Sequence, residues 1–168
     1  MTFRVFISSS IEDIHTVNEL RKTLERYGIQ SIVPDVEGYR GTHYIGGEIR
    51  PLGAIVDEIK QRIQASDCVL AIIGKGGSQS ENVDSEIGIA RGLGKLIIPV
   101  VEEGCEIPQN LANRGYILMD KNRPRLSYER AAQYLNTLRI EEERRNAIGG
   151  LLLLGLGLLL LAALASGD

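Results

Sequence analysis

The chain is poor in the residues that build several common kinds of site. It has two cysteines and two histidines. Cys68 lies in an apolar run and Cys105 in a loop-like stretch, which speaks against a disulfide framework and fits a reducing compartment. No cluster of Cys, His and acidic residues has metal-ligand spacing, so no metal site is expected. The net charge is -3, and no Lys/Arg run of nucleic-acid type occurs, so DNA and RNA are not expected partners. No secretory leader is expected, since Met1 runs straight into the strand-like FRVFISSS. Three phosphate, dinucleotide and acyl-transfer signatures are absent: G-x-x-x-x-G-K-[ST], G-x-G-x-x-G and G-x-S-x-G.

What the chain does have is a sharp change of composition near its end. From Ala147 to Ala165 it reads AIGGLLLLGLGLLLLAALA, without a polar side chain. About 19 helical residues at ~1.5 Å each span ~28 Å, close to a bilayer core of ~30 Å. Glycines at 149, 150, 155 and 157 are more usual in membrane helices than in soluble ones. A transmembrane helix over 147–166 is therefore expected, after a charged linker over 141–146 and a domain over 1–140. Arg144 and Arg145 precede the run and place the N-terminal domain in the cytoplasm, with membrane lipid as a partner of the single C-terminal anchor.

The remainder alternates strand-like and helix-like segments. FRVFIS reads as a first strand, and Ser10 with Asp13 makes an S-x-x-D helix start. Ile14, Val17, Leu20, Leu24 and Tyr27 mark one helical face, and Gly28 stops it. QSIVPDV is a second strand, followed by the long glycine-rich loop EGYRGTHYIGGEIRPLG. Ile55, Ile59 and Ile63 recur at helical spacing. DCVLAIIG is a continuous apolar strand of the kind covered on both faces. GKGGSQS is a loop, and a helix starts near Ser80 or Asn82, with Val83, Ile87, Ala90 and Leu93 on one face. KLIIPVV and YILMD are the fourth and fifth strands, and Ser127 caps a last helix. Such a series predicts an α/β fold: a flavodoxin-like, five-stranded parallel sheet with helices on both faces. Ligands of these sheets bind beyond the carboxyl ends of the strands. Ser8–Ser10, Asp35–Gly53 and Gly74–Asn82 are thereby brought to one crevice, with Glu86 just behind.

The chemistry available there is limited. GKGGS offers either a plain flexible turn or a backbone cradle for phosphate, with Lys75 as a nearby charge. Ser8, Ser9 and Ser10 satisfy a strand end or line the crevice. Glu86 sits in the first turns of its helix, where the dipole favours a carboxylate. Taken alone, a helical Glu is a solvated surface residue. Beside a ribose, a carboxylate can stabilise an oxocarbenium-like transition state or attack it. Nicotinamide already carries positive charge in NAD, so one carboxylate is enough. A neutral nucleoside also needs its base protonated.

Together these residues resemble a TIR (Toll/interleukin-1 receptor-like) domain across about residues 3–140. FRVFISSSIED resembles the family's first box, with Asp13 as its acidic residue. SDCVLAIIG and GKLIIPV are similar to its later strands. SENVDSE resembles the S-x-W-x-x-x-E-like box, with Ser80 at the serine, Asn82 where many members carry tryptophan, and Glu86 at the glutamate that is catalytic in NAD-cleaving members. Ser9 stands where many members have an aromatic residue. The resemblance implies NAD as substrate with no further cofactor, and Glu86 as the catalytic group. Ser8, Ser9, Arg40, Tyr44, Lys75, Ser80 and Asn82 are the candidate substrate contacts. It also implies self-assembly with other TIR domains, and a role in defence or cell-death signalling. EIGIARGLGKLIIPV is also similar to nucleoside 2-deoxyribosyltransferases, which likewise set a glutamate against a ribose. Two non-enzymatic readings stand beside these: a scaffold that recruits other TIR domains, and an effector whose C-terminal helices disturb the bilayer.

Overall fold

The structure is a computed structural model that describes residues 2–34, 44–45, 48–49, 52–75, 80–112 and 115–165; for 44, 45, 48, 49, 52 and 147–165 it describes the backbone alone. The chain divides into two compact units, Met1–Gln133 and Tyr134–Asp168. The first contains the sheet. Strand β1 (Arg4–Ser8) leads through a 3-10 turn (Ile11–Asp13) into α1 (Ile14–Arg26) and β2 (Gln30–Ile32). A short antiparallel pair follows, β3 (Tyr44–Ile45) and β4 (Glu48–Ile49). Then come α2 (Leu52–Gln64), β5 (Cys68–Ile73), α3 (Glu81–Gly92), β6 (Leu96–Glu102), β7 (Ile117–Met119) and α4 (Pro124–Ala165).

The main sheet has five strands in the order β2-β1-β5-β6-β7, and every pairing is parallel. This is the flavodoxin-like order expected from the strand-helix alternation. β5 lies at the centre and all six of its residues are buried, which explains its unbroken apolar sequence. Alternation along the strands sorts the core into two faces. Phe6, Val69, Ala71, Ile73, Ile97 and Val101 pack with Ile63 of α2 and Val83, Ile87 and Ala90 of α3. Val5, Ile7, Leu70, Ile72, Ile98 and Val100 alternate with them and are equally buried. Register keeps each set together: Phe6 lies opposite Val69 and Val69 opposite Ile97, while Ile7 lies opposite Leu70 and Leu70 opposite Ile98.

Local rules account for the helix ends. Gly28 and Gly94 have φ of 68° and 65°, the left-handed conformation that lets a helix close on a 6→1 hydrogen bond. The next amides, of Ile29 and Lys95, return to the carbonyls of Leu24 and Ala90 at 3.1 and 2.9 Å. The Lys95 ammonium donates to the carbonyls of Gln64 and Ser66, satisfying the end of α2. Glu129 accepts from Arg26 Nη2 and from Tyr27 Oη (2.9 Å), tying the end of α1 to the first turns of α4.

Four expectations change. The glycine-rich segment after β2 is not wholly loop, since it contains the β3–β4 pair. Ile14 is 36% exposed, because the buried stripe of α1 begins at Val17. The last helix starts at Pro124 rather than after Ser127, using proline's fixed φ at the first helical position. Ser127 is instead buried inside the helix, and its Oγ accepts from the Asp120 amide at 3.0 Å. The largest correction concerns the membrane. Among the described residues no helix is long and apolar enough to cross a bilayer. The expected transmembrane helix over 147–166, the lipid partner and the membrane-anchored location with a cytoplasmic domain are therefore withdrawn. The apolar run has no helix start of its own: it continues α4, whose earlier part carries Glu141, Glu142, Glu143, Arg144 and Arg145. The side chains of 147–165 lie outside those described.

Candidate active site

Glu86 lies in the second turn of α3. The Ser80 hydroxyl starts that helix by accepting from the Val83 amide at 3.5 Å. From there Val83, Glu86, Ile87 and Ala90 fall at i, i+3, i+4 and i+7, and all four are buried. Helix geometry thus carries a carboxylate into an otherwise apolar stripe. Glu86 is 2% exposed. A buried carboxylate would cost several kcal/mol, against the ~1.5–3 kcal/mol that each flanking aliphatic side chain contributes by burial. The neutral acid is therefore favoured. Burial pushes the Glu86 carboxyl up to about 8, and the Ser8 hydroxyl pulls part of the way back.

Ser8 is the last residue of β1 and pairs with Ala71 at the carboxyl end of β5. It shares the sheet face of Phe6, the face that α3 covers. Its side chain is fully buried, and its Oγ has no hydrogen-bond partner of ordinary length and angle. The hydroxyl is therefore close enough to influence Glu86 without being committed to another group.

The other predicted contacts divide. Ser80 serves as the helix cap. Ser9 is half-buried just beyond β1, while Lys75 and Asn82 are exposed at the two ends of the β5–α3 connection. Arg40 lies outside the described residues, as does the side chain of Tyr44. Among the described residues no group of three or more His, Cys, Asp or Glu is placed to hold a metal ion.

Sequence reasoning passed over one feature of the crevice, the side chain of Asp13. It occupies the N-cap position of α1 but makes no capping hydrogen bond. It is 8% exposed, and its Oδ2 is buried without a hydrogen-bond partner. Burial, then Glu102 and then Glu12, push its carboxyl up to about 6. The carboxyl rests on Gly74, the residue after β5: a Cβ at 74 would lie 2.8 Å from Asp13 Cγ, and nearer still to Oδ1. Asp13 appears in the sequence as half of a helix-start signal, and that role hid its side chain. The glycine at 74, directly after a six-residue apolar strand, is the signal that marks a close approach.

Comparison with known structures gives the same fold. The TIR domain of the Toll-related receptor TRR-2 from Hydra magnipapillata is similar with a TM-score of 0.56 and 24% identity, over 78% of this chain and 96% of that one. A 2-deoxyribosyltransferase from Bacillus psychrosaccharolyticus matches with a TM-score of 0.55 and 16% identity, over 73% and 90%. The Clostridium botulinum CMP N-glycosidase BcmB matches with a TM-score of 0.50 and 21% identity, over 82% and 98%. Comparison with curated proteins finds no match. The family model for the TIR domain matches residues 5–135, from β1 into the first turns of α4, and the chain belongs to the TIR domain family.

Proposed function

We propose that this TIR domain cleaves the N-glycosidic bond between nicotinamide and ribose in NAD, with Glu86 as the group that faces the sugar. The observation that carries this reading is the burial of Glu86 beside the buried Ser8 hydroxyl, at the carboxyl end of β1. At rest the carboxyl is neutral at pH 7. A bound pyridinium brings a positive charge into that low-dielectric surrounding, which lowers the Glu86 pKa so that its proton passes to solvent water. The resulting carboxylate stabilises the oxocarbenium-like sugar, or bonds to its anomeric carbon, as nicotinamide departs neutral. Water, or a hydroxyl or ring nitrogen of the same molecule, then bonds to the anomeric carbon, displacing Glu86 if it is bound there; an attacking O–H gives its proton to the Glu86 carboxylate, and the product is ADP-ribose or a cyclic isomer. Self-association with other copies is expected to switch the domain on, in keeping with a role in defence or cell-death signalling. Arg40, Tyr44, Lys75 and Asn82 are the proposed outer contacts of the dinucleotide.

A second reading is favoured by the raised Glu86 carboxyl itself. A neutral acid at pH 7 can give its proton to the base of an uncharged nucleoside, which NAD cleavage does not require. The structural neighbours include one protein described as a CMP N-glycosidase and one as a 2-deoxyribosyltransferase. Release of nicotinamide from NAD and of cytosine from CMP, measured side by side at high protein concentration with Glu86→Gln as control, separates the readings. Nicotinamide release that the variant loses supports NAD cleavage. Cytosine release alone supports the second reading. Release of neither from folded, assembled protein leaves the TIR scaffold.

A further inference from the structure

The two buried carboxyls at this end of the sheet lie on opposite faces. Glu86 belongs to the face packed by α3, with Phe6, Ala71 and Ile73. Asp13 lies against Gly74, whose place in the alternation is that of Leu70 and Ile72, on the other face. Only one peptide bond separates the two environments, the bond from Ile73 to Gly74.

Capping does not explain where the Asp13 side chain sits. Aspartate is among the preferred residues at an N-cap, and the cap bond is worth ~1 kcal/mol. Asp13 forgoes that bond, buries an oxygen without a partner, and lies near two other acids. Each of these is unfavourable, and a buried polar group left unsatisfied calls for a reason. What the side chain gains is its seat on Gly74. Space at that position is filled by the Asp13 carboxyl in place of a side chain of residue 74.

The last residue of β5 carries the consequence across the sheet. Ile73 is fully buried in the cluster that contains Val83 and Ile87, the residues flanking Glu86 on α3. A displacement of Gly74 therefore moves Ile73, and Ile73 bears on the helix turn that holds Glu86. We propose that Asp13 is a positioning residue for the Glu86 site: its carboxyl, seated on Gly74, fixes the end of β5 and through Ile73 sets where α3 holds Glu86. This rests on Glu86 being the working group of the site. Asp13 itself touches no reacting atom.

Protonation changes the charge held at this seat. The groups facing Asp13 are Glu12 on its own turn and Glu102 at the end of β6, with Cys105 just beyond, whose thiol is raised by burial, then by Glu102 and Asp13, while Lys121 and Lys75 oppose. The neutral acid rests among these groups with little penalty. The carboxylate is repelled by Glu102 and Glu12.

A double-mutant cycle tests the coupling, using the full chain with Gly74→Ala, Asp13→Ala, both together, and Asp13→Asn. Three quantities are read: nicotinamide release as kcat and KM, the melting temperature, and the titration of the Glu86 carboxyl followed by carbon-13 NMR. Gly74→Ala alone is expected to lower kcat on the order of tenfold to a hundredfold and to shift the Glu86 midpoint, because its Cβ meets the Asp13 carboxyl. In the Asp13→Ala background the same change is expected to add less than about twofold. Asp13→Asn, of the same shape, is expected to recover most of what Asp13→Ala loses and to remove the step near pH 6 from the profile. Additive effects, or a Glu86 titration unmoved by Gly74→Ala, overturn the proposal. If no variant and not the wild type releases nicotinamide, yet the Glu86 titration shows the same coupling, the seat stands and the NAD reading falls.

Discussion

Glu86 and Asp13 are two acids at the same end of one sheet, and they are raised by different means. Glu86 lies among aliphatic side chains of α3 and the sheet, and burial alone lifts it to about 8, against the pull of the Ser8 hydroxyl. Asp13 is less deeply placed; burial comes first, but two like charges, Glu102 and Glu12, add to it and bring it to about 6. An acid raised by apolar surroundings responds strongly to one incoming positive charge, since no water screens the pair. An acid raised partly by other acids responds to anything that neutralises them. The first suits a group that waits for a cationic substrate, the second a group that tunes the local backbone.

The sharpest way to break this contrast is through packing. Ile87→Ala is expected to cost ~2–5 kcal/mol, from lost burial and the cavity left behind. It is also expected to admit water to Glu86 and bring its titration down toward 4.5, the ordinary value. Thermal unfolding and NMR titration check the two effects, and a large loss of stability with an unmoved Glu86 would show that its surroundings are not what raises it.

Next in size is the dependence of stability on pH. Both acids bind protons more tightly in the folded chain than in the unfolded one, so stability falls as pH rises. For Glu86 the penalty is absent below 4.5 and complete above about 8. Glu86→Gln is therefore expected to be more stable than wild type at pH 8 by a few kcal/mol, and nearly equal at pH 4. Asp13→Asn is expected to give a smaller gain, developing between 3.8 and about 6. Denaturant titrations at several pH values measure both. Equal pH slopes in Glu86→Gln and wild type would contradict the assigned burial.

Smaller effects refine the picture. Ser8→Ala removes the group that lowers Glu86, so its midpoint is expected to rise above about 8. Ser80→Ala removes the α3 cap and is expected to cost ~1 kcal/mol without moving that midpoint. If Ser80→Ala also weakens binding of NAD, the serine contributes to the crevice as well as to the helix.

Much of this was legible in the sequence. Alternating strand and helix patterns fixed the parallel sheet, and the continuous apolar run at Cys68–Ile73 marked its centre. Burial of Glu86 was legible too: position 86 lies three after Val83 and four before Ala90, inside the stripe those residues define. A charged letter at a stripe position is easily read as its edge, and reading it as a surface group was the weaker inference. The packing of Asp13 is hidden because the S-x-x-D start with Ser10 is a sufficient explanation for an aspartate there, while its packing depends on a residue 61 positions away in sequence, Gly74. The β3–β4 pair was hidden by glycines, whose frequency suggested loop. The apolar C-terminal stretch misleads in the other direction: its composition suggests a membrane span, whereas among the described residues no helix is long and apolar enough to cross a bilayer.

The most direct test of the central claim is the titration of Glu86 in the free chain and with a non-cleavable NAD analogue that keeps the pyridinium charge. Carbon-13 NMR of the glutamate carboxyls, assigned with Glu86→Gln, reads it. The account predicts a midpoint near 8 in the free chain, falling by more than about one pH unit when the cationic analogue binds and not when its uncharged dihydro counterpart does. An ordinary midpoint in the free chain, or one indifferent to the charge of the ligand, would contradict the claim that Glu86 is a buried acid set to ionise against the sugar of a positively charged substrate.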